Sequence, residues 1–237
     1  MDRLTRKNLK TDKFAQEVSH TFDFLSEHRT ETIRYGSIGL AVIVLAAGFY
    51  FYTRYQAGAR EEALALATRI DDATVGGNVL PTNLHFNSQE EKDNARRKAY
   101  GDLAAKYRGS QEGAMAALIL AADAGDAGKL DDAQKRYRDI ADSAPTPYAA
   151  LAKLYLAQVY AAQGKTAEGE KVLRDLMAHP TLTVSKEAAA LALGRLLAKT
   201  NPTEARKILE PLRTERSAVS QAAVAALGEI PQQVLNK

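Results

Sequence analysis

The longest uncharged run in the chain lies near its start. Residues 35–53 contain no charged side chain, and Arg34 and Arg54 bound the run. A helix of this length measures roughly 28 Å, close to the hydrocarbon thickness of a bilayer. Tyrosines, which prefer the membrane–water interface, stand at both ends: Tyr35 at one, and Tyr50, Tyr52 and Tyr55 at the other. The pattern predicts a transmembrane helix over residues 35–53.

A cleaved secretory signal is the main alternative for this segment. Ala57-Gly58-Ala59 has the small side chains of a cleavage site. However, a tail of 34 residues with mixed charge precedes the run, and the run exceeds the usual apolar core of a signal, about 7–15 residues. The sequence favours an uncleaved anchor and leaves cleavage after Ala59 open.

The distribution of basic residues predicts the orientation. Seven Lys and Arg precede the run and three occur in the 34 residues after it: Arg3, Arg6, Lys7, Lys10, Lys13, Arg29 and Arg34, against Arg54, Arg60 and Arg69. This excess predicts a cytoplasmic N-terminus and a periplasmic C-terminal domain at a bacterial inner membrane. Within twenty residues of the run the counts are two and three, which do not discriminate.

The N-terminal tail has an apolar stripe at helical spacing. The stripe consists of Phe14, Val18, Phe22 and Leu25, with charged residues on both sides of it. It predicts a helix on the membrane surface or against a partner. A weakly ordered tail is the alternative.

The C-terminal two thirds contain an internal repeat with a shift of 36 residues. The equivalent positions are Gly128 and Gly164; Ala133, Gly169 and Ala205; Tyr137, Leu173 and Leu209; and Ile140, Leu176 and Leu212. Small residues followed at four and seven places by large apolar ones place one apolar stripe on a helix. The glycines predict turns, and the prolines Pro145, Pro180 and Pro211 fall near helix ends, with Pro211 early enough to shorten or kink its helix. The repeat predicts three successive antiparallel helix pairs over residues 113–214.

The whole pattern predicts an all-α chain with four parts. These are a tail (1–34), the span (35–53), a post-membrane helix and loop (54–88), and a helical repeat domain (89–237) that ends in a short capping helix. Each repeat buries its apolar face only against its neighbours, so the end of such a stack needs a cap.

The repeat resembles the tetratricopeptide family. The matching positions are Leu156, Ala157, Tyr160, Gly164, Gly169, Leu173 and Leu176, and in the preceding unit Ala133, Tyr137, Ile140 and Pro145. The departures are the longer period, the absence of tryptophan, and Thr200 in place of a turn glycine. The resemblance implies an α-solenoid that binds other proteins.

The layout of tail, span and repeat domain resembles the inner-membrane family that includes the ancillary subunit of the Sec translocon. That resemblance implies a role beside the translocon and periplasmic chaperones.

Catalytic and cofactor-binding patterns are not found in the sequence. There is no cysteine, the four histidines lack metal-ligand spacing, and no nucleotide-binding glycine loop or nucleophile motif occurs. The 32 basic and 29 acidic residues are interleaved, which argues against nucleic acid as a partner. We expect neither an enzyme nor a cofactor.

The register of the tetratricopeptide family implies a partner-binding groove on the first helix of each pair. Its residues would be Met115, Leu118, Ala122, Leu151, Leu154, Gln158, Glu187, Ala190 and Gly194. Because this set is mostly apolar, a hydrophobic or helical segment is favoured over an acidic tail as the ligand. Alternatively, the post-membrane helix or a second copy fills the groove permanently.

Two classes of function remain after the sequence analysis. The first is a membrane-tethered adaptor for translocon, chaperone or envelope-assembly proteins. The second is a permanent structural subunit of a larger membrane complex, and a homo-oligomeric scaffold is a variant of it.

Overall fold

The computed structural model describes residues 29–76, 84–214 and 218–231. In chain order the helices are α1 (Arg29–Asp71), α2 (Gln89–Lys106), α3 (Gln111–Asp126), α4 (Leu130–Ser143), α5 (Thr146–Ala162), α6 (Thr166–Ala178), α7 (Lys186–Leu197), α8 (Pro202–Thr214) and α9 (Ser220–Glu229). Strands β1 (Thr74–Val75) and β2 (His85–Phe86) form one short parallel pair. The predicted all-α class is confirmed. The predicted tail face, Phe14, Val18, Phe22 and Leu25, lies outside the described residues.

The chain divides into two compact units, residues 1–58 and 59–237. The predicted span, 35–53, lies inside α1, the one helix in the described ranges that is long and apolar enough to cross a membrane. Its large apolar side chains are exposed, with Leu45 at 72% and Phe49 at 71%. A core helix of a water-soluble protein would bury such residues, and this helix does not.

The second unit consists of helix pairs that follow one another along the chain. From α2 onward, consecutive helices contact each other, and α3, α5, α7 and α9 also contact one another in turn. The three predicted pairs are therefore α3/α4, α5/α6 and α7/α8. The small residues predicted at the close approaches, Ala133, Gly169 and Ala205, are all buried, as are Leu173 and Leu209. Pro211 lies inside α8, which continues to Thr214.

The predicted turn glycines have the backbone conformation that glycine favours. Gly128 and Gly164 both have φ of +73°. The next residue closes each turn over five positions, since Lys129 N donates to Ala124 O at 2.9 Å and Lys165 N to Tyr160 O at 2.8 Å. These two turns are therefore built in the same way.

The turn between α7 and α8 is one residue shorter. Asn201 N donates to Leu197 O at 2.7 Å, over four positions instead of five, and the Asn201 side chain accepts from Glu204 N at 3.2 Å. Without glycine the chain does not adopt the left-handed conformation here. As a result, the sequence separation between equivalent residues of α5 and α7 differs from the separation between equivalent residues of α6 and α8.

The second compact unit begins at Ala59 and so includes residues 59–71 together with the predicted repeat domain, 89–237. Ala67 and Tyr100 are fully buried in one apolar cluster, and Ala63 and Leu64 pack beside them. This end of α1 therefore packs on both α2 and α3, ahead of the three predicted pairs.

Candidate protein-binding groove

The first half of an apolar groove lies between α3 and α5. Its lining consists of Met115, Leu118, Ile119, Ala122, Gly125, Asp126, Leu130, Tyr137, Leu151, Tyr155, Gln158, Val159 and Ala162. Met115 is 42% exposed and Tyr155 38% exposed. The rings of Tyr137 and Tyr155 lie with centroids 5.6 Å apart and planes tilted by 36°, an arrangement that fixes the exposed ring on a buried one.

The second half of the groove lies between α5 and α7. It is lined by Leu154, Ala157, Gln158, Ala161, Leu173, Ala188, Leu191, Ala192, Arg195, Leu196 and Val219. Gln158 lines both halves. First helices of three successive repeats thus contribute to one apolar surface.

Six of the nine predicted groove residues line this surface, and three do not. Met115, Leu118, Ala122, Leu151, Leu154 and Gln158 are on it. Ala190 and Gly194 are instead buried in the core, and Glu187 lies in the first turn of α7, outside the lining. The groove positions of α7 are Ala188, Leu191 and Arg195.

The shorter α7–α8 turn explains this correction. Tyr160 and Leu197, which close equivalent turns, are separated by 37 residues, whereas Lys165 and Asn201 are separated by 36. A shift of 37 carries Leu151, Leu154 and Gln158 onto Ala188, Leu191 and Arg195. A constant shift of 36 points instead to their buried neighbours Ala190 and Gly194.

Sequence reasoning also missed several lining residues, although a signal for them exists. Adjacent residue pairs in each first helix face the groove: Leu118-Ile119, Leu154-Tyr155 and Leu191-Ala192. Each pair recurs at the repeat spacing. A groove that receives two neighbouring side chains per helix is wider than the single stripe that the family register implies.

Few charges face the groove. The charged residues in its lining are Asp126 in the half formed by α3 and α5 and Arg195 in the half formed by α5 and α7. Burial is the main cause that raises the pKa of Tyr137 to about 12, and the neighbouring Tyr155 and Asp126 add to it. The phenol therefore stays neutral in the physiological range, and its ring forms an apolar wall of the groove.

Residues 59–71 are not among the groove lining. They pack on α2 and α3 around Tyr100 and Leu103, in a cluster that Ile119 of the groove lining also joins. Within the described ranges, no group of three or more His, Asp or Glu side chains could hold a metal ion. The groove offers apolar contact area and a few polar groups, which suits the side chains of another protein.

Comparison with known families agrees with this geometry. Residues 32–207 match the model of a tetratricopeptide repeat-like domain. Comparisons with curated proteins and with solved structures give no significant match. The matched region covers well over half of the chain and contains most of α1 together with every helix that lines the groove. The chain therefore belongs to the tetratricopeptide repeat-like domain family.

Proposed function

We propose that this protein is a membrane-anchored adaptor that binds other proteins through the groove on α3, α5 and α7. Residues 35–53 anchor it in the bacterial inner membrane, the N-terminus is cytoplasmic, and the repeat domain is periplasmic. Its partners are components of protein translocation, chaperone recruitment or envelope assembly. The observation that carries the proposal is an exposed apolar groove shared by three successive first helices.

The chemistry of the groove supports a hydrophobic or helical segment as the bound element. Exposed Met115 and Tyr155 are residue types that contribute strongly to protein interfaces. Methionine adapts to different apolar surfaces, while the Tyr137–Tyr155 contact holds one rigid wall. Such a mixture suits several related ligands better than one charged tail.

The anchor is supported by the exposed apolar face of α1 and by its interfacial tyrosines. Arg54 donates to the hydroxyl of Tyr50 at 3.4 Å, and Gln56 donates to that of Tyr52 at 3.2 Å. Polar side chains that reach toward tyrosine hydroxyls one turn away are expected where a helix leaves the hydrocarbon region. The excess of basic residues in the tail supports the orientation.

Purification of the full chain from crosslinked membranes tests the proposal. We expect Met115→Asp to reduce the recovered partner by at least about tenfold, since a charge in an interface core costs more than 1.4 kcal/mol. Leu182→Asp is the matched control, because Leu182 is fully exposed and lies outside the groove lining. Equal loss in both variants, or no loss in either, would contradict the groove as the binding site.

A permanent structural subunit is the second candidate function. A fixed stoichiometry of copurified proteins after crosslinking supports the subunit, whereas a range of clients with extended or helical apolar segments supports the adaptor. A single species at twice the mass of the chain identifies the homo-oligomeric scaffold.

A further inference from the structure

The two charged residues of the groove lining lie on its two outer helices. Asp126 is the last residue of α3, and Arg195 lies in the last turn of α7. One returning helix separates each first helix from the next, so α3, α5 and α7 run in the same direction and both charges lie at the edge where these helices end. Gln158 of α5 lines both halves of the groove. Along this edge the lining therefore changes from acidic through neutral to basic.

These two charges have no role in the packing of the described residues. Both side chains are exposed, and neither takes part in an ion pair or a side-chain hydrogen bond within the described ranges. An acidic side chain in the last turn is unfavourable for a helix dipole, so the stability of α3 does not explain Asp126. Its charge acts on the groove wall, because it contributes to the raised pKa of Tyr137. The carboxylate is therefore placed to act on a ligand in the groove.

The two ends of the groove also differ in the size of their side chains. Two rows of equivalent positions have large residues in α3 and α5 and alanine in α7. The rows are Ile119, Tyr155 and Ala192, and Met115, Leu151 and Ala188. An alanine in place of a large residue leaves room in the lining that another apolar group can fill. The α7 end therefore accepts a larger ligand side chain than the α3 end.

The spacing of the helices sets the length of the ligand. Packed helices lie about 8–10 Å apart, and α3 and α7 are two such steps apart because both contact α5. The two charges are therefore separated by roughly 16–20 Å along the groove, which an α-helix covers in about 11–13 residues.

A helix matches these two charges without any charged side chain of its own. Its first turn has free N–H groups with partial positive charge, and its last turn has free C=O groups with partial negative charge. Asp126 can accept hydrogen bonds from the first set, and Arg195 can donate to the second. An extended segment has no such end charges, so the apolar lining and the two charges together favour a helix.

We propose that the groove binds one helix of another protein in a single direction, with its N-terminus at Asp126 and its C-terminus at Arg195. The helix has about 11–13 residues in the groove and presents an apolar face to it. A large apolar residue in its last turns fills the space beside Ala188 and Ala192. The inference rests on the proposed function, since it concerns the same groove, and it adds the length, the direction and the larger end of the ligand.

Photocrosslinking in native membranes measures this direction on the full chain. A benzophenone amino acid replaces exposed Ala122 in the half formed by α3 and α5, or exposed Ala161 in the half formed by α5 and α7. Mass spectrometry then maps the crosslinked residues of the partner. We expect the residue reached from position 122 to precede the one reached from position 161 by about five to seven residues, one helix spacing at about 1.5 Å per residue.

Reversal of both groove charges tests what fixes the direction. Asp126→Lys combined with Arg195→Asp should reduce crosslinking from both positions at least about tenfold, because each end of the helix then meets a like charge. Lys98→Asp combined with Asp102→Lys is the matched control, since it reverses an exposed ion pair of α2 outside the groove lining. All four side chains are exposed, so both double variants should keep the melting temperature of the natural chain.

The outcomes separate this inference from the proposed function. Crosslinks in the opposite order or in both orders equally would overturn the inference and leave the groove as a binding site. The same holds for a separation of about three residues, which indicates an extended segment, for a crosslink to a second copy of this chain, and for unchanged crosslinking after charge reversal. A folded chain with no crosslink from either position would contradict the proposed function, and the inference with it.

Discussion

Substitution of Asp71 by alanine should release the first helix of the repeat domain from its neighbours. Asp71 is the last residue of α1, and its carboxylate accepts from Arg96 Nε at 2.7 Å and from the Tyr100 hydroxyl at 2.6 Å. Arg96 also pairs with Asp123 on α3 and lies 5.3 Å from the centre of the Tyr100 ring. One side chain of α1 thus connects to α2 directly and to α3 through Arg96.

The expected loss of stability follows from these contacts. Hydrogen bonds to a charged group contribute about 1.5–3 kcal/mol each, but the Asp71 side chain is 35% exposed, so solvent screening reduces them. Arg96 keeps its second partner in the variant, whereas the Tyr100 hydroxyl loses its acceptor. We expect a loss of about 2 kcal/mol, which for a domain of this size lowers Tm by roughly 4–8 °C.

Thermal unfolding followed by far-UV circular dichroism measures this loss, and hydrogen exchange locates it. Amides of residues 62–71 should exchange faster in Asp71→Ala than in the natural chain, while those of α5 to α8 change little. Asp72→Ala is the matched control, since Asp72 is exposed and adjacent and its removal changes the charge near the helix end equally. If both variants unfold alike, the network around Arg96 does not hold this helix.

Further substitutions test the packing of the repeats. Gly194→Ala should lower the free energy of unfolding by up to about 2 kcal/mol, because overpacking against Leu209 costs about 1–3 kcal/mol and the better helix propensity of alanine returns about 1. Gly228→Ala should raise the free energy of unfolding by about 0.5–1 kcal/mol, because a Cβ atom there meets no neighbour. Urea unfolding in which Gly194→Ala is the more stable variant would refute this difference in packing. Gly113→Ala should lower Tm more than Gly194→Ala, because its Cβ would overlap the backbone carbonyl of Tyr107, which cannot move aside as a side chain can. A hydrogen bond from Lys153, helped by His179, lowers the pKa of Asp175, so its stabilising contribution is present above the pKa of an unfolded Asp and is lost as pH falls through the lowered folded value. Lys153→Met should therefore flatten the acid limb of a Tm–pH profile, and an unchanged limb would show that this pair contributes nothing.

The elements with strong periodic signals could be predicted from the sequence. The span follows from an uncharged run between Arg34 and Arg54, and the helix pairs from small residues such as Ala133 followed by Tyr137 and Ile140. Buried positions repeat in sequence because each pair must bury the same face against its neighbours. The turn glycines were predictable because few other residues adopt a positive φ.

The register of α7 was not predictable from one constant period. The turn that ends at Asn201 differs by one residue from the turns at Lys129 and Lys165, and that difference becomes visible only when hydrogen bonds are traced. In a helix, a slip of one residue rotates the assigned face by about 100°, from the groove into the core. This explains why Ala190 and Gly194 were selected in place of Leu191 and Arg195.

The two described ends of the repeat domain complete their outermost helices in different ways. At the start, residues 59–71 of α1 are held by buried Ala67 and by the Asp71–Arg96–Asp123 network, whose charged groups pair with one another inside the chain. At the other end, within the described residues, α9 exposes Val224 and has open space beside Gly228, whereas Gly194 of α7 lies against Leu209 of α8. A substitution at Asp71 is therefore expected to cost more stability than one at Gly228, because the first removes polar contacts and the second meets no neighbour.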